Sequence, residues 1–347
     1  MLDGIRRDTD IITGRSIESI EDALTGTDLN RVAFANAGYD ITQTSARAGD
    51  NSLIVANGAF TGQQKLQGNQ TLLGGGAKIS VRGRRTGIID TLTAPGKTAR
   101  LSAPGGNNRD DTDDNLKLLG SNTHVSGMRI VGDPGAAGDG IDLGSDKSNL
   151  FMTNIAIRDV GGDGIYARTD IKQVTISDIT IMGMRGDGID LGDDAERITI
   201  DTVVIADGES DGIQFGDGGR QIEVRKSQVA NVDGIGISLG ADNTITTLDT
   251  SISGTFAGGI QFIDNNSVTI IGGSISHVRS DGIYGEDENM VAITGLRMAD
   301  IGDDGMQFSH RNTVTITDTW ILNTGGEGIK SDRRNAITTD NVIIADR

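Results

Sequence analysis

The chain has 347 residues, with 51 glycines, three prolines, no cysteine, 3% aromatic residues and a formal net charge of −18. Without cysteine there are no disulfides, thiolate metal sites or cysteine nucleophiles, and three prolines exclude collagen-like or proline-rich chains. The acidic balance opposes phosphate backbones and no apolar run is long enough to span a bilayer, so neither nucleic acid nor a membrane span is expected.

At the N-terminus, Ile17, Ile20, Ala23 and Leu24 fall on one helical face, with Ser16 as N-cap and Gly26 as the stop. This predicts a short helix within a capping segment, residues 1–50, that covers the open first coil of a solenoid. Residues 51–130 read as irregular coils: Asn51 to Gly58, Gln70 to Gly76, Leu116 to Gly120 and Asn122 to Ile130 alternate strand and turn signals. The one longer insertion is expected at Pro95 to Asn115, where Arg109 to Asp114 reads as a solvated charged loop.

Residues 131–347 are regular. Asp-Gly-Ile recurs at Asp139, Asp163, Asp187, Asp211 and Asp281, with degenerate copies at Gly236-Ile237, Gly259-Ile260, Gly305-Met306 and Gly328-Ile329. Steps between successive Ile or Met positions are 24 four times, then 23 four times. Each period holds three strand-like runs, for example Ile189-Asp190-Leu191, Ile198-Thr199-Ile200 and Val203-Val204-Ile205, with no room for a crossover helix. That arithmetic predicts an all-β chain wound as a parallel β-helix, three short strands per 23–24-residue coil, with coils about 4.8 Å apart.

Four columns follow from the period. Asp139, Asp163, Asp187, Asp211, Asp281 and Asp304 precede the first strand; they read as a repeated Asx turn, though carboxylates one coil apart can also hold Ca²⁺. An outward column on that strand, Asp142, Tyr166, Asp190, Gln214, Ser238, Gln261, Tyr284, Gln307 and Lys330, suits either solvent or an extended glycan. Next comes an acidic turn row: Asp146, Asp193, Asp194, Asp217, Asp242, Asp264, Glu286, Asp287 and Asp332. Its members repel within a Debye length and a cation would relieve them, so Ca²⁺ at Asp193, Asp194 and Asp217 is the metal expectation. Asn243, Asn266, Asn289, Asn312 and Asn335, each 23 residues apart, form the fourth column; stacked, their amides can bond from coil to coil.

The asparagine column resembles the ladder of right-handed parallel β-helix proteins, the pectate-lyase-like superfamily, over roughly residues 50–347. The wording Asn69 to Gly76 and Asn122 to Gly132 is similar to the openings of bacterial surface β-helices, autotransporter passengers included. The resemblance implies a right-handed solenoid from a secreted or cell-surface bacterial protein. Asp187 to Asp194 partly resembles the Asp-Asp signature of polygalacturonases, and Gly328-Ile329-Lys330 their Arg-Ile-Lys, but their Gly-His-Gly and the Asp-Pro-His of mannuronan epimerases are absent. Lyases of this fold pair a Ca²⁺ cluster with an Arg or Lys base, for which Arg168 and Lys172 are candidates. His124, His277 and His310 read as surface or structural.

Regular coils without elaborated loops, few aromatics and no assigned catalytic residue lead to the expectation of a non-catalytic structural or adhesive module. Its partners would be cell-surface glycans or further β-helix coils or subunits. The alternative is a polysaccharide lyase or glycoside hydrolase, with the Asp142-to-Lys330 face as groove and Asp190, Asp193 and Asp194 as acids. A second alternative is a filament subunit. It rests on the uncapped apolar run Val342 to Ala345, which also suits a piece of a longer chain.

Overall fold

The structure, a computed structural model, describes residues 31–36, 39–82, 89–102 and 113–345. The strands wind as the period requires. In one coil Ile189–Asp193, Glu196–Asp201 and Val204–Gly208 lie on three successive faces, and each pairs parallel with its counterpart one coil on: Ile189 with Ile213, Ile198 with Ile222, Ile205 with Val229. The first face is an eleven-stranded sheet running from Gln64–Leu66 to Ile329–Ser331, and the other two merge into one 22-stranded sheet.

Alternation sets the register. Ile213 and Phe215 point inward and are buried while Gln214 between them is half-exposed, and the same pattern recurs from Ile165 to Phe308. Ile141, Ile165, Ile189, Ile213, Ile237, Ile260, Ile283 and Met306 stack into one inner column, none more than 4% exposed. Each contributes about 1.5–3 kcal/mol on burial, and a one-residue slip would turn the whole column to solvent. A second inner column holds Phe215, Leu239, Phe262, Gly285 and Phe308. A Cβ on Gly285 would lie 2.4 Å from the Phe262 ring, so two phenyl rings fill the space that its side chain would take.

Corners are made by single left-handed residues. Between the second and third faces these are Asn154, Asp178, Thr202, Lys226 and Asp249, with φ of 49° to 57° apart from 48° at Lys226. Short polar side chains tolerate that geometry best. The asparagine ladder is present with different bonding from that expected: each Oδ1 accepts the backbone N–H of the previous coil's asparagine, at 2.8 Å from Asn243 to Asn266 and 2.7 Å from Asn312 to Asn335. The left-handed residue is the one before each ladder position, Asp242, Asn265, Glu288, Arg311 or Arg334.

One helix, α1 (Ile41–Ala48), occurs among the described residues, capped by Asp40, whose carboxylate accepts the Gln43 N–H. It closes the first face. Lys65 N–H donates to Thr42 Oγ1 and Gln67 N–H to Ser45 Oγ, both at 2.9 Å, so helix hydroxyls satisfy an edge that would otherwise be open. The helix expected at Ser16 to Leu24 lies outside the described residues. Arg31–Ala35 stacks parallel on Ser52–Ala56. No helix of the described residues is long and apolar enough to cross a membrane.

The coil that starts at Gln64 is not regular. Between Gln70–Gly74 and Ala99–Ser102 the chain leaves the rod as Lys78–Arg82 and Ile89–Thr93, which pair antiparallel. The expectation of coils free of elaborated loops is therefore corrected. Alternation in Lys78-Ile79-Ser80-Val81 marks a strand but cannot say whether that strand stacks in the rod or folds back on a hairpin.

Candidate functional site

Register carries the outward column intact. Asp142, Tyr166, Asp190, Gln214, Ser238, Gln261, Tyr284, Gln307 and Lys330 are partners from coil to coil on the first face. The structure adds two residues at its head, Lys65 and Lys117, in line with Asp142.

The aspartates that precede this strand form a ladder. Asp139 Oδ1 accepts the Asp163 N–H at 2.7 Å, Asp163 that of Asp187 at 2.6 Å, Asp187 that of Asp211 at 2.8 Å and Asp211 that of Ile235 at 2.7 Å. Each turn therefore leans a carboxylate against the next coil, at the edge of the outward column. Burial and the neighbouring Asp163 charge push Asp139 up to about 8 against the pull of the Asp163 N–H, and burial also raises Asp211 and Asp281.

Asp190 differs from the rest of its column. Burial, and then the charges of Asp163, Asp187, Asp193 and Asp211, push it up to about 7. Its Oδ1 is buried and accepts no hydrogen bond among the described residues. A half-exposed carboxyl that stays protonated near neutral pH, with one oxygen free of hydrogen bonds, is equipped to give up a proton.

A cationic cluster lies two and three coils away. Lys117 Nζ is 2.7 Å from Asp142 Oδ2, and Asp142 Oδ1 accepts the Gly144 N–H at 2.6 Å, so this 4%-exposed carboxylate is fully engaged. Lys147 folds over Gly144, where a Cβ would meet its Nζ at 2.4 Å. Burial holds the Lys147 amine below the usual lysine range, Lys117 adds to the effect and Asp142 opposes it. Between Asp142 and Asp190 stands Tyr166, whose phenol burial raises and a hydrogen bond with Arg168 lowers. Lys172, the other candidate base, pairs instead with Asp170 at 2.7 Å in an exposed turn.

The acidic turn row is a second ladder. Asp193 Oδ1 accepts the Asp217 N–H at 2.9 Å and Asp217 Oδ1 the Ala241 N–H at 2.7 Å, with Asp264 and Asp287 repeating the pattern. Backbone donors thus engage Asp193 and Asp217, two of the three carboxylates for which a cation was expected. Among the described residues the carboxylates that converge are Asp281, Asp303 and Asp304, rather than Asp193, Asp194 and Asp217. There Lys330 Nζ sits 2.8 Å from Asp304 Oδ2 and 3.3 Å from Gln307 Oε1, supplying positive charge from the protein itself. His310 pairs with Asp287 and His277 with Asp300, both exposed, while His124 lies on the second face.

This coil architecture defines the class. The chain belongs to the right-handed β-helix family: the model described as "right handed beta helix region" matches residues 109–246 and 215–346. No curated protein matches by sequence. Among solved structures, an alginate lyase from Paenibacillus sp. str. FPU-7 is similar at 16% identity and TM-score 0.56, over 90% of this chain and 99% of that one. The A-module of a mannuronan C-5 epimerase from Azotobacter vinelandii is similar at 11% and 0.55, over 88% and 94%. A hyperthermoactive exopolygalacturonase from Thermotoga maritima is similar at 12% and 0.52, over 94% and 96%.

These neighbours correct the expectation of a non-catalytic structural or adhesive module. Rods matching this one over about nine-tenths of its length are a lyase, an epimerase and a hydrolase. Regular coils are therefore no sign that a chain of this fold lacks chemistry.

Proposed function

We propose that the chain is a carbohydrate-active enzyme that cleaves an extended polysaccharide lying along the first face, with Asp190 as its proton donor. The observation that carries this reading is Asp190 itself, half-exposed, pushed up to about 7 among carboxylates and with its buried Oδ1 unpartnered. Glycoside hydrolysis needs a protonated carboxyl to give its proton to the leaving oxygen and a second, ionised one to activate water or stabilise the oxocarbenium ion. Asp163 and Asp187, whose charges help to hold the Asp190 proton, supply that second group. The half-exposed Gln214, Ser238, Gln261 and Gln307 offer hydrogen bonds for sugar hydroxyls further along.

The Lys117–Lys147–Tyr166 cluster supports a second reading, β-elimination on a uronate polymer. There the lysines would neutralise the sugar carboxylate, the depressed Lys147 amine would take the proton beside it, and the Tyr166 phenol would protonate the departing oxygen. Products separate the two: hydrolysis yields saturated reducing ends, elimination an ultraviolet-absorbing unsaturated sugar.

The test is a panel of neutral and acidic polysaccharides offered to the parent chain and to Asp190→Asn. Turnover is expected in the parent, with kcat lowered about 10²- to 10⁴-fold in the variant at a melting temperature no lower than the parent's. The parent's activity should fall as pH rises through about 7, where Asp190 loses its proton. Equal activity in the two proteins, or no turnover of any glycan, removes the reading.

A further inference from the structure

We infer that the second face carries a separate binding site for a neutral sugar ring, formed by His124, Phe151, Thr153, Thr175 and Ser177. These residues line a cleft of about 340 Å³, the lower end of the size of small-ligand pockets. Register explains the cleft. His124, Phe151 and Thr175 are successive members of one outward column, and Thr153 and Ser177 are successive members of the next. Two bulky rings are thus followed by three short hydroxyl side chains, and the step in height leaves a hollow.

The chemistry of the lining selects the ligand. The Phe151 ring is 43% exposed, an apolar surface on which a pyranose face can rest. His124 stands beside it at 6.2 Å between ring centroids, with its Nε2 buried and without a hydrogen-bond partner among the described residues. Such a nitrogen carries an unmet demand, and a rotation of the imidazole toward the hollow would let a sugar hydroxyl meet it, as donor or acceptor. Burial lowers the His124 pKa, so the imidazole is neutral at physiological pH. No carboxylate, lysine or arginine lines the cleft. An aromatic face, an uncharged imidazole and three hydroxyls fit an uncharged polyhydroxylated ring and offer an anionic sugar no counter-charge.

The cleft is built on the face that does not carry Asp190. It borders the corner from which the hairpin leaves the rod: Ser126, the neighbour of Thr153 in its column, is itself paired with Leu73, next to Gly74. A site there would hold a part of a glycan, or a separate one, outside the groove of the first face.

Titration of the full chain with methyl glycosides of neutral hexoses, their disaccharides and glucuronate, read by the imidazole resonances, tests this. Only three histidines are present, and exposed His277 and His310 serve as internal controls. A saturable shift confined to His124 with neutral sugars is expected. It should persist in Asp190→Asn and weaken about tenfold or more in Phe151→Ala, whose exposed ring can be removed without unfolding, and in Thr175→Ala. Unmoved or unsaturable His124 signals, preference for glucuronate, or unchanged affinity in both lining variants would overturn the site. Because binding is read without turnover, failure of this site and failure of the Asp190 reading are separate results.

Discussion

The rod solves one cross-section in two ways. In coils from Ile141 to Ile213 nine positions separate the first-face isoleucine from its second-face partner, as from Ile189 to Ile198; from Ile237 onward there are eight, as from Ile260 to Val268. The longer corner is packed with an apolar side chain, Ile171 or Ala195, each 1% exposed. The shorter corner is closed by a ladder asparagine whose amide replaces the missing residue. At the junction Gly219 N–H donates to Asn243 Oδ1 at 2.8 Å, and a Cβ there would sit 2.5 Å from that oxygen. Asp139, Asp190 and Asp211 are raised in the 24-residue coils and Asp281 alone in the 23-residue coils, whose outward column is mostly amide and phenol. The coils with the stronger polar scaffold carry the plainer face, and those with an apolar corner carry the reactive one.

Four substitutions or titrations sharpen that contrast. The largest effect is expected from Phe308→Ala, which empties a fully buried ring position beside Gly285: about 3–5 kcal/mol lost, measured by urea unfolding. In the 24-residue coils Lys117→Ala strips the cation from buried Asp142. It should cost about 3 kcal/mol, the low end for a broken buried pair, because Lys117 keeps some solvent contact. Asn266→Ala orphans the Asn243 N–H inside the rod, for about 2 kcal/mol. An Asn266→Ala variant as stable as the parent would show that the ladder does not hold the shorter corner.

The last contrast is in pH dependence. Folded Asp139 and Asp190 keep their protons to about 8 and about 7. The unfolded chain releases them near about pH 4. Between those limits the native state binds more protons, so stability falls as pH rises from about 4 to 8 and returns on acidification. Melting temperatures across that range should decline, and Asp139→Asn should flatten the curve while keeping an acceptor for the Asp163 N–H. A parent whose melting temperature climbs over the same interval would contradict the protonated carboxyls.

The regular coils were legible because aliphatic columns at fixed spacing can be counted, and the outward column follows from alternation alone. Lys65 and Lys117 were not legible, since 52 residues and a hairpin separate them and no period bridges the gap. The role of the Asp-Gly-Ile aspartates was half visible: composition indicates a turn, but bonding to the next coil appears only when coils are stacked. Asp190 was legible as one candidate acid beside Asp193 and Asp194, but its distinct proton affinity was not. That comes first from burial and then from the charges of Asp163, Asp187, Asp193 and Asp211, the first 27 residues before it and the last 21 after. The cleft at His124 depends on relative side-chain heights across three coils, which a residue-by-residue scan does not register.

The parallel register of the first face has a consequence for substrate length. One outward side chain per coil, advancing by about 4.8 Å, makes the face a ruler with evenly spaced marks. Removing one whole repeat, Ser238 to Ile260, would bring Gln261 beside Gln214 with every lateral contact matched by its equivalent. Such a deletion would leave Asp190 and its acidic neighbours in place and shorten the measuring edge by a single mark, so the size of the products would report how far a bound chain reaches.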